Sequence, residues 1–120
     1  MLEAQSLENF VISELKSVGL EPDVQRAKEH QVDLLATDQS KKHIFIVDVK
    51  SRRLSFSDVA RFLAINPNLG GSSVHILALS ESALESTPQS VATYAAQNGI
   101  SVISTSEVAN FVRSEDWFSK

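Results

Sequence analysis

Cysteine is absent from the 120 residues. Its absence excludes a disulfide framework, a thiolate zinc site, an iron–sulfur cluster and a cysteine nucleophile. Long apolar runs are absent as well. The longest, Ile44 to Val47 and Ile76 to Leu79, fall far short of a membrane span. Met1-Leu2-Glu3 lacks the basic segment and apolar stretch of a secretory signal, so the expectation is a cytoplasmic protein with no membrane role. Glycine and proline number only four and three, which leaves no linker or low-complexity tract. No glycine-rich phosphate loop and no G-x-S-x-G nucleophile elbow occurs. His30, His43 and His75 stand at no metal-ligand spacing and read as structural or surface residues.

What is present is a globular composition, 42% hydrophobic and 22% charged, over a length that suits one domain spanning residues 1–120. The net charge of −4 is unevenly placed. Residues 26 to 61 carry eight cations against five acids, while the remainder carries three cations against ten acids. An acidic chain is a poor prior for nucleic-acid binding, which rests on phosphate neutralisation, and the basic middle weakens that objection.

Ala4, Leu7, Phe10, Val11, Leu15 and Val18 recur at helical spacing, predicting a helix from about Glu3 to Val18 that stops at Gly19. Val24 to Ala27 reads as an edge strand. Two stronger strands follow, Gln31 to Thr37 and His43 to Lys50, joined by the polar loop Asp38-Gln39-Ser40-Lys41-Lys42. The second is apolar on both faces and should lie centrally. Ser55-Phe56-Ser57-Asp58 has the form of a capping box, opening a helix through Val59, Phe62 and Leu63 that Asn66-Pro67 ends. Gly70-Gly71 turns into a strand, Val74 to Leu79. Thr87-Pro88 reads as an N-cap followed by proline at the first helical position, and Val91, Tyr94 and Ala95 form that helix's apolar face. A strand from Ile100 to Ile103 leads through Ser104-Thr105-Ser106-Glu107, another capping box, to a last helix. The order α-β-β-β-α-β-α-β-α predicts an α/β fold, a mixed central sheet flanked by helices.

Chemistry concentrates at the hairpin. A loop centred between Ser40 and Lys41 sets Asp33 directly opposite Asp48 on one face, with Cβ atoms about 5 Å apart. Strand alternation puts Lys50 on that face too. Facing carboxylates repel, and a divalent cation between them reverses the sign of that interaction. Spacing alone also admits a plain Asp48–Lys50 ion pair with Asp33 merely starting its strand, and a one-residue slip puts the aspartates on opposite faces.

Val32-Asp33-Leu34-Leu35-Ala36, a fourteen-residue spacer after Asp33, then Ile46-Val47-Asp48-Val49-Lys50 resembles the PD-(D/E)XK motif of the restriction-endonuclease-like nucleases. Leu7-Glu8-Asn9-Phe10-Val11 is similar to the glutamate-bearing first helix of small Mrr-like nucleases and Holliday-junction resolvases. The segment Asn98 to Ser104, after its strand and helix, looks more Mrr-like than resolvase-like. The sequence departs from the pattern at Val32, where proline or glycine is usual, at Asp48, where glutamate is more frequent, and in its overall acidity.

The resemblance implies a restriction-endonuclease-like core and a metal-dependent DNA endonuclease. Mg²⁺ or Mn²⁺ would be held by Asp33, Asp48 and the Val49 carbonyl. Lys50 would position the nucleophile, and Glu8 would be an outer ligand. On a helical wheel Glu8 and Glu14 both flank the apolar stripe, Glu14 nearer its centre; the family pattern selects Glu8. Arg26, Lys28, Arg52 and Arg53 border the site and would grip phosphates. With no basic reading helix, recognition should follow DNA structure or backbone, a protein partner supplying any sequence specificity. Duplex cutting needs two sites, so a homodimer is expected, with Phe111, Trp117 and Phe118 either forming a patch or folding back on the core. The rival expectation is a nuclease-fold binding or regulatory module without catalysis.

Overall fold

The apolar repeat of the first segment winds into α1 (Ala4–Ser17), which buries Leu7, Val11 and Leu15 against the sheet. A computed structural model of the chain describes residues 4–29, 31–38, 43–64 and 72–114. Helix α1 stops as predicted at Gly19, whose φ of 85° suits a residue without Cβ. The Leu20 N–H donates to the Leu15 carbonyl (3.0 Å) and the Gly19 N–H to that of Lys16 (3.0 Å), a Schellman closure.

The next segment corrects the prediction. Val24–Glu29 is a helix, α2, and the edge strand is the two-residue β1 (Glu21–Pro22) before it. A six-residue helix offers the core little more than Ala27, too few buried positions to print a periodicity. Its end is concealed too, because Gln31 takes the left-handed position, φ 60°, that glycine or asparagine usually marks. Val32 N–H bonds to Ala27 (3.0 Å) and Gln31 N–H to Lys28 (3.1 Å), the same closure as at Gly19.

This turn feeds β2 (Leu34–Thr37), which pairs antiparallel with β3 (His43–Lys50). Leu34 lies opposite Val47 and Thr37 opposite Ile44, the register predicted from the loop's centre; residues 39–42 lie outside the described residues. Next come α3 (Phe56–Ala64), β4 (Ser72–Leu79), α4 (Glu81–Ser86), α5 (Gln89–Gln97) and β5 (Ile100–Ser104). A 3₁₀ turn (Thr105–Glu107) then leads to α6 (Val108–Arg113). Asn66-Pro67, Gly70-Gly71, Trp117 and Phe118 lie outside the described residues.

The sheet runs β1-β2-β3-β4-β5, antiparallel as far as β3 and parallel beyond it. Central β3 therefore has a buried face on each side, as its sequence requires. Phe45, Val47 and Val49 pack with α1 and α6, and Ile44 and Ile46 with the layer of α2, α3, α4 and α5. Phe111 packs partly buried against the first of these clusters. Among the described residues no helix is long and apolar enough to cross a membrane.

Two caps differ from prediction. Ser80 caps the unpredicted α4, its Oγ accepting from Ala83 N–H (3.3 Å). Thr87 is the C-cap of α4, and Pro88 itself occupies the N-cap of α5. The Thr87 hydroxyl donates to the Ala83 carbonyl (2.8 Å) and accepts from Leu54 N–H (2.9 Å), pinning the segment after β3 to the α4–α5 junction.

Gln31→Gly should raise stability by about 0.5–1 kcal/mol in a urea titration. It removes a left-handed cost of about 1–2 kcal/mol and returns part of it as unfolded-chain entropy. A loss of stability would refute this account of the turn.

Candidate active site

Asp33 and Asp48 meet where the β2–β3 ladder ends, and their side chains continue it. The Asp33 N–H donates to Asp48 Oδ1 (2.9 Å), and the Val49 N–H donates to Asp33 Oδ2 (2.8 Å). Each carboxylate thus fastens to the backbone of the opposite strand. Charge-assisted bonds to backbone N–H groups offset the repulsion that two facing carboxylates bring.

The position follows from the sheet. Asp48 alternates with Ile46 and Ile44, so it and Lys50 share the face on which α3 packs. Both lie at the carboxyl end of β3, where the pairing changes from antiparallel to parallel. Ser80 N–H takes the Lys50 carbonyl (3.0 Å), so Lys50 turns its backbone toward β4. Val49, alternating with it, turns N–H and C=O alike toward Asp33.

Glu8 joins the pair from the other helical layer. Burial raises its pKa first, followed by the charge of Asp33, a hydrogen bond to Asp33 and the charge of Asp48. It is Glu8, not Glu14, that reaches the aspartates; Glu14 Oε1 is buried without a hydrogen-bond partner among the described residues. Burial likewise raises the pKa of Asp48, aided by the charges of Asp33 and Asp58, against the lowering by the Asp33 N–H and the Lys50 ammonium.

Asp58 builds the adjoining wall. The predicted capping box is present: Asp58 N–H donates to Ser55 Oγ (3.2 Å), and Ser55 N–H and Oγ donate to Asp58 Oδ2 (2.9 and 3.0 Å). Arg52 adds a two-pronged bond, Nη1 to Oδ2 and Nη2 to Oδ1, each 3.1 Å. Burial pushes the Asp58 carboxyl up, but the Arg52 and Ser55 bonds outweigh it and hold the carboxyl below its ordinary value. The i, i+6 link between Arg52 and Asp58 has no periodic signature, and no sequence signal pointed to it.

Of the cations proposed to grip phosphate, Arg52 is thus held by Asp58 while its side chain stays 63% exposed. Lys28 is exposed on α2 and Arg53 is exposed just past β3, whereas the Arg26 side chain lies outside the described residues. His75 packs edge-on against Phe62 at 5.6 Å, in keeping with a structural role.

Among the described residues no three His, Cys, Asp or Glu side chains already stand as a metal cage. The donor set nevertheless fits Mg²⁺ or Mn²⁺. Such ions take hard oxygen ligands, and Mg²⁺ typically keeps several waters and uses one or two carboxylates. The carboxylates of Asp33 and Asp48 and the Val49 carbonyl are oxygen donors of that kind. No protein-family model and no curated protein sequence matches the chain.

Two outcomes follow. Asp48→Asn keeps the acceptor for Asp33 N–H and removes a half-buried negative charge. Without divalent ions it should melt about 2–5 °C above the wild type, and millimolar Mn²⁺ should raise the melting temperature of the wild type but not of the variant. A lower melting temperature without metal would contradict the charge repulsion described. Asp58→Asn should cost about 1–2 kcal/mol at pH 7. Asp58 has a folded pKa below its unfolded one, so its contribution is complete above about pH 5 and is lost as pH falls through the folded value. The deficit should therefore narrow below about pH 4 in denaturant titrations. A deficit constant from pH 7 to pH 2 would contradict the ionic origin.

Proposed function

We propose that the chain is a metal-dependent phosphodiesterase of the PD-(D/E)XK, restriction-endonuclease-like class, most simply an endonuclease acting on DNA. The observation that carries the reading is the reciprocal fastening of Asp33 and Asp48 at the carboxyl end of β3, with Glu8 and Lys50 beside them. A sheet needs no such group for stability, since burial and mutual charge raise the pKa of both Glu8 and Asp48.

In this reading Asp33, Asp48 and the Val49 carbonyl hold Mg²⁺ or Mn²⁺. When bound there, such an ion would supply a lowered pKa for water and charge neutralisation for the phosphate. Lys50 orients the attacking water or holds a non-bridging phosphate oxygen. Glu8, the carboxyl that neighbouring charges press toward its protonated form, accepts a proton from that water or relays one through the solvent. Lys28 and Arg53 contact flanking phosphates. A homodimer would place two such sites across a duplex, and a protein partner would supply sequence specificity.

Nicking of supercoiled plasmid with Mg²⁺ or Mn²⁺ is the test. Lys50→Ala should slow it about 100-fold or more while the fold is retained. Full-rate cleavage by that variant would sink the assignment of this site. No cleavage by the wild type, together with no heat of Mn²⁺ binding at millimolar concentration, would instead favour a nuclease-fold binding module.

A further inference from the structure

Just past Lys50 the chain forms a second feature that the catalytic reading leaves unused. Arg53, Leu54, Ser55, Phe56, Pro88 and Val91 line an open depression of about 190 Å³. This lies below the roughly 300 Å³ at which pockets for drug-sized molecules begin, so it suits a single flat ring system. Its floor is apolar, and its one charged lining residue is the cation Arg53.

The aromatic wall is unusual. Phe56 is 52% exposed, one of only two large apolar side chains exposed among the described residues. It occupies the first helical position of α3, where solvation is easy, yet it is not left loose. Tyr94 of α5 holds it, with ring centroids 5.6 Å apart and planes inclined at 58°. The floor beneath is equally fixed. Leu54 is buried, its N–H ends on Thr87 Oγ1 (2.9 Å), and Ser55 is locked in the capping box with Asp58. An exposed aromatic face held by a rigid wall keeps its binding surface ready without ordering cost.

Location selects the occupant. Arg53 lies three residues beyond Lys50, at most about 11 Å along the chain, roughly the length of three stacked nucleotides at 3.4 Å each. A strand whose phosphate sits at Lys50 would pass this depression. We propose that the depression seats one unstacked base of a single-stranded DNA segment, the base lying against Phe56 and its phosphate meeting Arg53. A base within a duplex is already stacked and cannot enter, so the pocket would make the protein select flaps, branches or single strands. This inference rests on the nuclease reading and names its substrate class.

The test uses the full chain without divalent ions, so that no cleavage occurs. Fluorescence anisotropy would compare an oligothymidylate of about ten residues with a blunt duplex. Phe56→Leu keeps the apolar bulk and removes the ring, and should weaken single-strand binding between about fivefold and a hundredfold. Phe56→Trp should retain it, and duplex binding should change in neither. Titration of isotope-labelled protein with the oligothymidylate should shift resonances of Phe56, Tyr94 and Val91. Equal affinities of the Leu and Trp variants, or shifts confined to the neighbourhood of Asp48 and Lys50, would overturn the pocket and leave the phosphodiesterase standing. Absence of single-strand binding in the wild type would also overturn it, while plasmid nicking would judge the phosphodiesterase separately.

Discussion

The crossed pair of bonds between Asp33 and Asp48 is the constraint on which the site depends. In an ordinary antiparallel pair the last rungs are backbone to backbone. Here two side-chain carboxylates take over as acceptors, one on each strand. That substitution fixes both carboxylates in orientation, since each must point at the opposing N–H. At Val49 the backbone N–H is received by the Asp33 carboxylate and not by a β2 carbonyl. Burial first, and then the neighbouring carboxylate charges, raise the pKa of Glu8 and Asp48, so the ionised forms are costly to keep here. A protein retains such tension where a cation or a reaction makes use of it.

A second anchor keeps the exit from β3 in place. Five residues, Ser51 to Ser55, connect β3 to α3. Arg52 is tied forward to Asp58, and Leu54 is tied sideways to Thr87. Asp58 is therefore more than a helix cap. It is 5% exposed, binds both the cap residue and the guanidinium, and contributes to the negative field felt by Asp48. Lys50, the Arg52–Asp58 fork and the Arg53–Phe56 side of the depression succeed one another along nine residues, and Pro88, Val91 and Tyr94 close the depression from α5 and its N-cap.

How much of this was legible depended on the physical carrier of each signal. The β2–β3 register was readable because β3 is apolar on both faces and the loop is short and polar, which leaves few ways to pair them. The capping box at Ser55 was readable because its bonds join residues three apart. Helix α2 was not, because its six residues bury mainly Ala27 and its left-handed stop is a glutamine. Thr87 was misassigned because a hydroxyl before proline looks like an N-cap, whereas its acceptor role toward Leu54 spans 33 residues of sequence. The choice between Glu8 and Glu14 exposes a general limit. A helical wheel reads angle around the axis and not height along it. The two glutamates flank the apolar stripe about 120° apart, and they also differ by about 9 Å in height, which the wheel omits; only Glu8 reaches the aspartates.

Overall acidity remains the strongest argument against a nucleic-acid ligand, and the distribution of charge answers it. The ten acids outside residues 26–61 include Glu21 and Asp23 by β1, Glu81 and Glu85 on α4, and Glu107 ahead of α6. The cations proposed to flank the site, by contrast, come from α2 and the exit of β3. The exit of β3 carries Lys50, Arg53 and the Asp58-paired Arg52 against the carboxylates of Glu8, Asp33 and Asp48, whose charge a divalent ion would offset in the proposed function. Farther out the negative excess prevails and opposes long, featureless electrostatic tracking along a duplex. A protein so charged gains little from generic backbone attraction. Short-range stacking against a fixed ring, the contact proposed at Phe56, needs no broad basic cleft.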